Sequence, residues 1–461
     1  MAKDSSIQIN NLQAGIAQSS IFGFKNIRNL NVSDIPGIVY PNYTLSNETN
    51  SLFTDRPNAM QYYDGKYYLS DNDAALYWNG GTAGAWAQRT TSFSQGRMVV
   101  WRNYLVGLNG TSLNFLDTLG NKTTISSSVT ASTGGAYMVV LMSDSLYIFN
   151  GENVSKLSEE DGETFDPSSS STYELEKDKL KLNSGEVANC STVWNSNIII
   201  GGSLGNLYVW NGVSDLPSDI APTTESTVQR LITINRRVYC QIGKFGNWYF
   251  FDGVRVQLVK KMPEDLFRYG TIGKTLQPEA VAEVDNKIYF GMDVSSQAGE
   301  IAGVYSLDLQ TGALVCEDQL STDADNDDIT IGVLFSRGDK QYYVGWEEED
   351  GTPSYGLDLK STSATYTDDK AYFESQYYTL STNEQKITSK LPIILFSEPL
   401  TSGDSAKIYY REKLNDSYTL LDTVNTVGIT RKTLKSLPPL ESVQMKVVLN
   451  GNIKFTNLIL K

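Results

Sequence analysis

The sequence predicts an all-β chain: a β-propeller, with seven blades the best count and six or eight compatible, followed by a small antiparallel β-sandwich. Three observations predict it. A short aromatic phrase ending in Asn-Gly or Asp-Gly recurs along the chain, tight two-residue turns sit between β-branched and aromatic runs, and helical periodicity is nearly absent.

The phrase reads LYWNG at Leu76–Gly80, LYIFNG at Leu146–Gly151, NLYVWNG at Asn206–Gly212 and WYFFDG at Trp248–Gly253, with looser echoes at VGLNG (Val106–Gly110) and VYSLDLQTG (Val304–Gly312). Gly110 to Gly151 is 41 residues and Gly212 to Gly253 is again 41, while Gly151 to Gly212 is longer by about 20. Periods of this size belong to propeller blades and other repeat arrays.

Residues 1–55 carry many Asn, Ser and Gly and little periodic pattern, so they are expected to lie as an extended N-terminal arm over another surface. Residues 56–366 form the propeller. Its seven repeated sentences fall at roughly 58–80, 96–120, 136–166, 190–214, 228–260, 279–318 and 329–360. Asp64-Gly65, Asn195-Ser196 and Asp285-Asn286 are hairpin signals flanked by strand-forming runs. The third strand of each sentence is expected to carry the aromatic exit phrase, whose side chains pack on neighbouring blades. Only Ser170–Leu182, SSTYELEKDKLKL, could support a helical turn or two. A large sandwich or a solenoid would show the same alternation. From about 367 the exit phrase stops, and AYFESQYYTL, AKIYYREK and ESVQMKVVLNG read as a separate sandwich over 367–461.

Composition narrows function. The chain of 461 residues contains no histidine, which removes the commonest general base near neutral pH and the commonest metal ligand. Ser-His-Asp and Cys-His schemes are excluded, and carboxylate pairs remain. The net charge of −15 has the wrong sign for gripping phosphates, but an acidic surface suits a passage along which DNA slides. Cys190, Cys240 and Cys316 lie far apart in odd number and read as small core residues. No window approaches a membrane span, and Met1–Ser20 lacks a secretory apolar core, so synthesis in a cytoplasm is expected.

Three acidic motifs are candidates for chemistry. DADNDD (Asp323–Asp328) could gather oxygens around calcium, but the glycine and twelfth-position glutamate of a calcium loop are missing. SEEDGETF (Ser158–Phe165) resembles the S-x-D-x-G-x-T-W hairpin box of sialidase-type propellers, which implies a fastened turn rather than glycosidase chemistry. WEEEDG (Trp346–Gly351) reads as an acid run in a hairpin loop, and a pairing with SEEDGE as general acid and base has no support in spacing. The Asn31-Val32-Ser33 and Asn109-Gly110-Thr111 triplets are expected by chance. No catalytic, cofactor-binding or metal-binding residue is assigned.

GIAQSSIFGFKNIRNLNVSDIPGIVY (Gly15–Tyr40), NWYFFDGVRVQLVKKMPEDLF (Asn247–Phe267) and the C-terminal AYFESQYYTLSTNEQKITSKL with IYYREK resemble bacteriophage tail accessory proteins of the nozzle or stabilisation kind. The resemblance implies a structural, non-enzymatic virion protein in the phage tail or neck. It implies assembly with portal, adaptor or other tail proteins and with copies of itself, commonly six, around a lumen through which genome DNA passes unbound. It also gives Met1–Phe53 and Asp166–Gly185 docking roles, so deleting 1–50 is expected to abolish assembly and spare the propeller. The rival expectation is a tail-tip propeller that binds host-surface carbohydrate through exposed Trp and Tyr, and a carboxylate-pair glycosidase ranks below both.

Overall fold

A computed structural model describes residues 7–9, 15–16, 24–49, 52–81, 85–132, 134–223, 225–263, 276–293, 302–322, 329–349, 352–367, 369–380 and 390–461. Seven four-stranded antiparallel units occupy 57–90, 99–125, 137–181, 188–222, 228–260, 281–319 and 329–365 together with 43–49, and are called blades 1 to 7. Their first strands stand side by side in sequence order, and the first strand of blade 7, Ile329–Gly338, returns to that of blade 1, Pro57–Tyr63. The units therefore close as a wheel.

Local sequence explains the uniformity. In every blade the first hairpin turns through two residues of positive φ: Asp64-Gly65, Arg102-Asn103, Ser143-Asp144, Asn195-Ser196, Asn235-Arg236, Asp285-Asn286 and Asp339-Lys340. This is the turn whose twist matches its flanking strands, and Asn, Asp and Gly tolerate it best. All seven turns lie at one end of the disc, here called the hairpin end, together with the loops joining third to fourth strands.

The third strand of blade 4, Asn206–Trp210, shows how the aromatic phrase holds the wheel. Its side chains alternate, so Leu207 and Val209 enter the seam with blade 5 while Tyr208 and Trp210 enter the seam with blade 3. Trp210 meets Tyr147 edge to face at 5.3 Å. Each of the seven seams holds its own buried apolar cluster, and fully burying one such side chain stabilises by about 1.5–3 kcal/mol. The phrase ends the third strand in blades 1, 4, 5 and 6, but in blades 2 and 3 it ends the second, Tyr104–Asn109 and Ser145–Asn150. Second and third strands are both packed on two faces, and Gly110, Gly151, Gly212 and Gly253 all take positive φ, so sequence alone does not separate the two positions.

Within 1–55, expected to lie as an extended arm over another surface, the described strands are built into the sheets of this chain. Tyr43–Thr49 is the outermost strand of blade 7, antiparallel to Ser354–Thr365. Phe24–Arg28 runs between the outer strand of blade 6, Leu314–Gln319, and Tyr372–Ser375 of the C-terminal region. Ile7–Ile9 pairs with Phe455–Leu460. These polar strands lack a core of their own, yet they satisfy the backbone edges of sheets that would otherwise end unpaired. Tyr173–Lys181, within the stretch expected to give a helical turn and within the supposed docking insertion, is the outer strand of blade 3.

The C-terminal region is a sandwich. One sheet contains Ile7–Ile9, Phe455–Leu460, Pro392–Phe396 and Arg431–Thr433. The other is continuous with blade 6 through Phe24–Arg28, giving ten strands in one sheet. The sandwich core, including Ile394, Val447 and Leu458, merges with the seam between blades 5 and 6. Among the described residues no helix is long and apolar enough to cross a membrane.

Candidate functional site

The end of the disc opposite the hairpins surrounds the central channel. Segments entering the first strands converge there, and Arg56, Gln95, Arg97, Tyr137 and Glu279 line a recess of about 170 Å³. Gly96 lets the backbone approach Tyr137, since a Cβ there would collide with the Tyr137 carbonyl. Arg97, from blade 2, crosses the mouth. Its Nε donates to Glu279 Oε1 of blade 6 at 2.9 Å and its Nη1 to the Ser191 carbonyl of blade 4 at 2.6 Å. Burial works against the guanidinium charge, but Glu279 raises its pKa above the ordinary value. Arg56 pairs with Glu347 of blade 7 at 3.1 Å. Burial lifts the Glu347 carboxyl despite Arg56. This arrangement braces alternate blades across the axis and closes the mouth with paired charges.

The sequence motifs fall apart in space. Glu347 and Glu348 of WEEEDG belong to the second strand of blade 7, beside the mouth, and not to a loop. SEEDGETF forms the loop between third and fourth strands of blade 3, at the hairpin end. The two acid runs therefore sit on different blades and opposite ends, and the structure does not bring them together. Within SEEDGETF, Phe165, at the Trp position of the box, is buried against Trp101 and Phe115, and the turn is fastened by Glu159, which accepts from the Phe165 backbone N–H at 2.9 Å, rather than by Glu160 at the box's Asp position. Cys190, Cys240 and Cys316 are buried, free thiols, and burial pushes the Cys316 thiol up to about 12. DADNDD, the calcium candidate, lies outside the described residues.

Sequence reasoning missed a repeated carboxylate latch. Glu186, before blade 4, accepts from Asn206 Nδ2 at 2.8 Å and from the Tyr208 hydroxyl. Glu225, before blade 5, does the same with Asn247 at 2.9 Å and with Tyr249. An acid followed 20 or 22 residues later by Asn-x-Tyr was the available signal. A second buried site joins Asp318 of blade 6 to Lys360 and Tyr342 of blade 7. Burial raises the Asp318 carboxyl to about 6 even with Lys360 opposing.

A separate cleft of about 450 Å³ opens where the arm, blade 7 and the sandwich meet, lined by Tyr40, Tyr43, Thr365, Glu398, Leu400 and Lys454 among others. Tyr43 is exposed there, and Glu398 and Lys454 pair at 2.7 Å.

Sheet order, seam packing and closure define the chain as a seven-bladed β-propeller whose last blade is completed by an N-terminal strand and whose sixth blade extends into a β-sandwich. No family model and no curated protein sequence matches it. Among solved structures it is similar to the β-propeller domain of Cps50 (Swd1) from Myceliophteria thermophila, at 9% identity over 69% of this chain and 100% of that one, with a TM-score of 0.47. It is also similar to the computationally designed Ika8 protein, at 11% identity over 72% of this chain and 96% of that one, with a TM-score of 0.41.

Proposed function

We propose that the chain is a non-catalytic structural component of a bacteriophage virion, a nozzle-type tail or connector piece that assembles with copies of itself around the path by which DNA leaves. The observation that carries the reading is how the phage-like segment Gly15–Tyr40 is used. Gly15, at φ 68, packs so tightly on blade 6 that a Cβ would collide with the Leu314 backbone, and Ile16 N donates to the Leu314 carbonyl at 2.8 Å. Ile35-Pro36-Gly37-Ile38 makes a turn closed by Ile38 N to the Ile35 carbonyl at 3.1 Å, with Gly37 supplying the positive φ. The described residues of the segment bind wheel to sandwich, as suits a part that transmits load. Because Arg97 closes the mouth, DNA would run between copies and not through one disc, and a charge of −15 disfavours adhesion to it.

The test is co-expression with the portal, adaptor and tail proteins of a phage that encodes this chain, followed by electron microscopy of particles carrying an antibody label. Label at the tail or neck supports the reading, and particles that form and eject DNA normally without the chain would sink it.

The arm–sandwich cleft favours a second reading, recognition of host-surface carbohydrate, because an exposed tyrosine beside a carboxylate and an ammonium group suits a sugar ring. Glycan-array binding that Tyr43→Ala abolishes would support it.

A further inference from the structure

The hairpin end of the disc is unevenly furnished. Over blades 6 and 7 it is covered by the chain itself, since Asp34 pairs with Lys340 at 2.8 Å and Lys287 donates to Ser33. Among the described residues, no other segment covers blades 3, 4 and 5 there, and each offers a different chemistry.

On blade 3, Glu160, Asp161 and Glu163 are exposed and enter no ion pair among the described residues. On blade 4, the loop after Trp210 is held from beneath: Trp210 Nε1 donates to the Ser214 carbonyl at 2.7 Å, and Asn211 Oδ1 accepts from the backbone of Val213 at 2.9 Å. That fixed loop turns Val213 and Leu216 outward, at 67% and 71% exposure. On blade 5, Arg236, Arg237 and Arg255 are exposed, and none forms an ion pair among the described residues. Val254 is 72% exposed beside them. Their turns are fixed as well, by Trp194 Nε1 to the Arg236 carbonyl at 2.7 Å and by Asp252 Oδ1 accepting from Arg255 N at 2.7 Å. Residues 228–260 carry 6 Lys and Arg against 1 Asp, in a chain whose net charge is −15.

Acid, a loop that turns Val213 and Leu216 outward with Asp215 between them paired to Lys179 at 3.3 Å, and base thus follow one another on three consecutive blades of one face. Turned through a twofold axis at blade 4, this order is complementary to itself: apolar meets apolar at the axis, and each acidic loop meets the other copy's arginines. We propose that the hairpin end of blades 3 to 5 is the interface of an isologous dimer of this chain. Charge complementarity selects a second copy, because the same face holds both halves of the match in the required order. The apolar centre supplies affinity and the flanking charges set register. The inference does not depend on the virion reading.

Sedimentation velocity on the full chain tests it. The wild type is expected to dimerise at low ionic strength and to weaken as salt rises. Arg236→Glu/Arg237→Glu/Arg255→Glu and, separately, Glu160→Lys/Asp161→Lys/Glu163→Lys should each weaken self-association by about tenfold or more, since each sets like charges opposite one another. Mixing the two variants should restore a heterodimer, because one then presents acid wherever the other presents base. Circular dichroism matching the wild type excludes misfolding as the cause. A wild type that stays monomeric at low salt, variants that associate unchanged, or a mixture that fails to recover would each overturn the proposal.

Discussion

Lys360 Nζ lies 2.5 Å from both carboxylate oxygens of Asp318, and the two side chains are 6% and 0% exposed. The pair joins blade 6 to blade 7, and the same ammonium donates to the Tyr43 carbonyl of the N-terminal strand at 2.7 Å. The seam between blades 6 and 7, where Tyr43–Thr49 is added to the last blade, thus converges on one buried cation.

Asp318 gives a pH prediction. Its folded carboxyl is raised to about 6 from the usual 3.8 by burial, so the folded state holds the proton more tightly than the unfolded. The stability from this group is full below about 3.8 and is lost as pH rises through about 6. Asp318→Asn removes the titration. Relative to wild type, the stability of the variant should rise between pH 4 and 7, measured by urea unfolding at each pH. A difference that is flat or falls with pH refutes the assignment.

Deletion of residues 1–50 should unfold the protein rather than only prevent assembly. It removes Tyr43–Thr49 from blade 7, strips Phe24–Arg28 from the sheet that links wheel to sandwich, and exposes the edge of Ser354–Thr365. Loss of the cooperative thermal transition, partly restored by a peptide spanning 38–52 added in trans, is the expected outcome. A truncated chain melting like the full one would contradict the closure described.

Arg97→Met should destabilise by about 3–5 kcal/mol, because it leaves Glu279 partly buried without its partner and unties blades 2, 4 and 6. Arg97→Met with Glu279→Met should recover much of the loss. Additive losses in the double variant would mean that the two groups do not act as a pair.

Tyr208→Phe and Tyr249→Phe each remove one hydroxyl from an equivalent latch, on Glu186 and Glu225. Each should cost about 1–3 kcal/mol in chemical denaturation. Strongly unequal losses would show that the two latches are not functional equivalents.

Much of the wheel was legible because its rules are local. Asn195-Ser196 and Asp285-Asn286 announce their turns within four residues, and the alternation in NLYVWNG names both seams it fills. What the sequence hid is long-range. Nothing in YTLSNET says that it pairs with a strand beginning at Ser354, since an edge strand with one packed face has weak periodicity. SSTYELEKDKLKL misleads for a related reason: its strand is an outer one with a bulge and positive φ at Asp178, so its alternation is broken. At the mouth, Arg97 and Glu279 stand 182 residues apart, beyond any motif, whereas the Glu186 and Glu225 latches repeat at a readable spacing and were legible in principle.

The closing strand also sets a timetable. Thr44 finds its hydrogen-bond partner, the Ala364 carbonyl, 320 positions later in the chain. At about 5–20 residues per second a ribosome needs on the order of 15–60 s to deliver it. Throughout that interval the nascent chain carries an unpaired strand at its front while six blades stack behind it. Translation speed and chaperone occupancy of the first fifty residues therefore govern the yield of closed wheels.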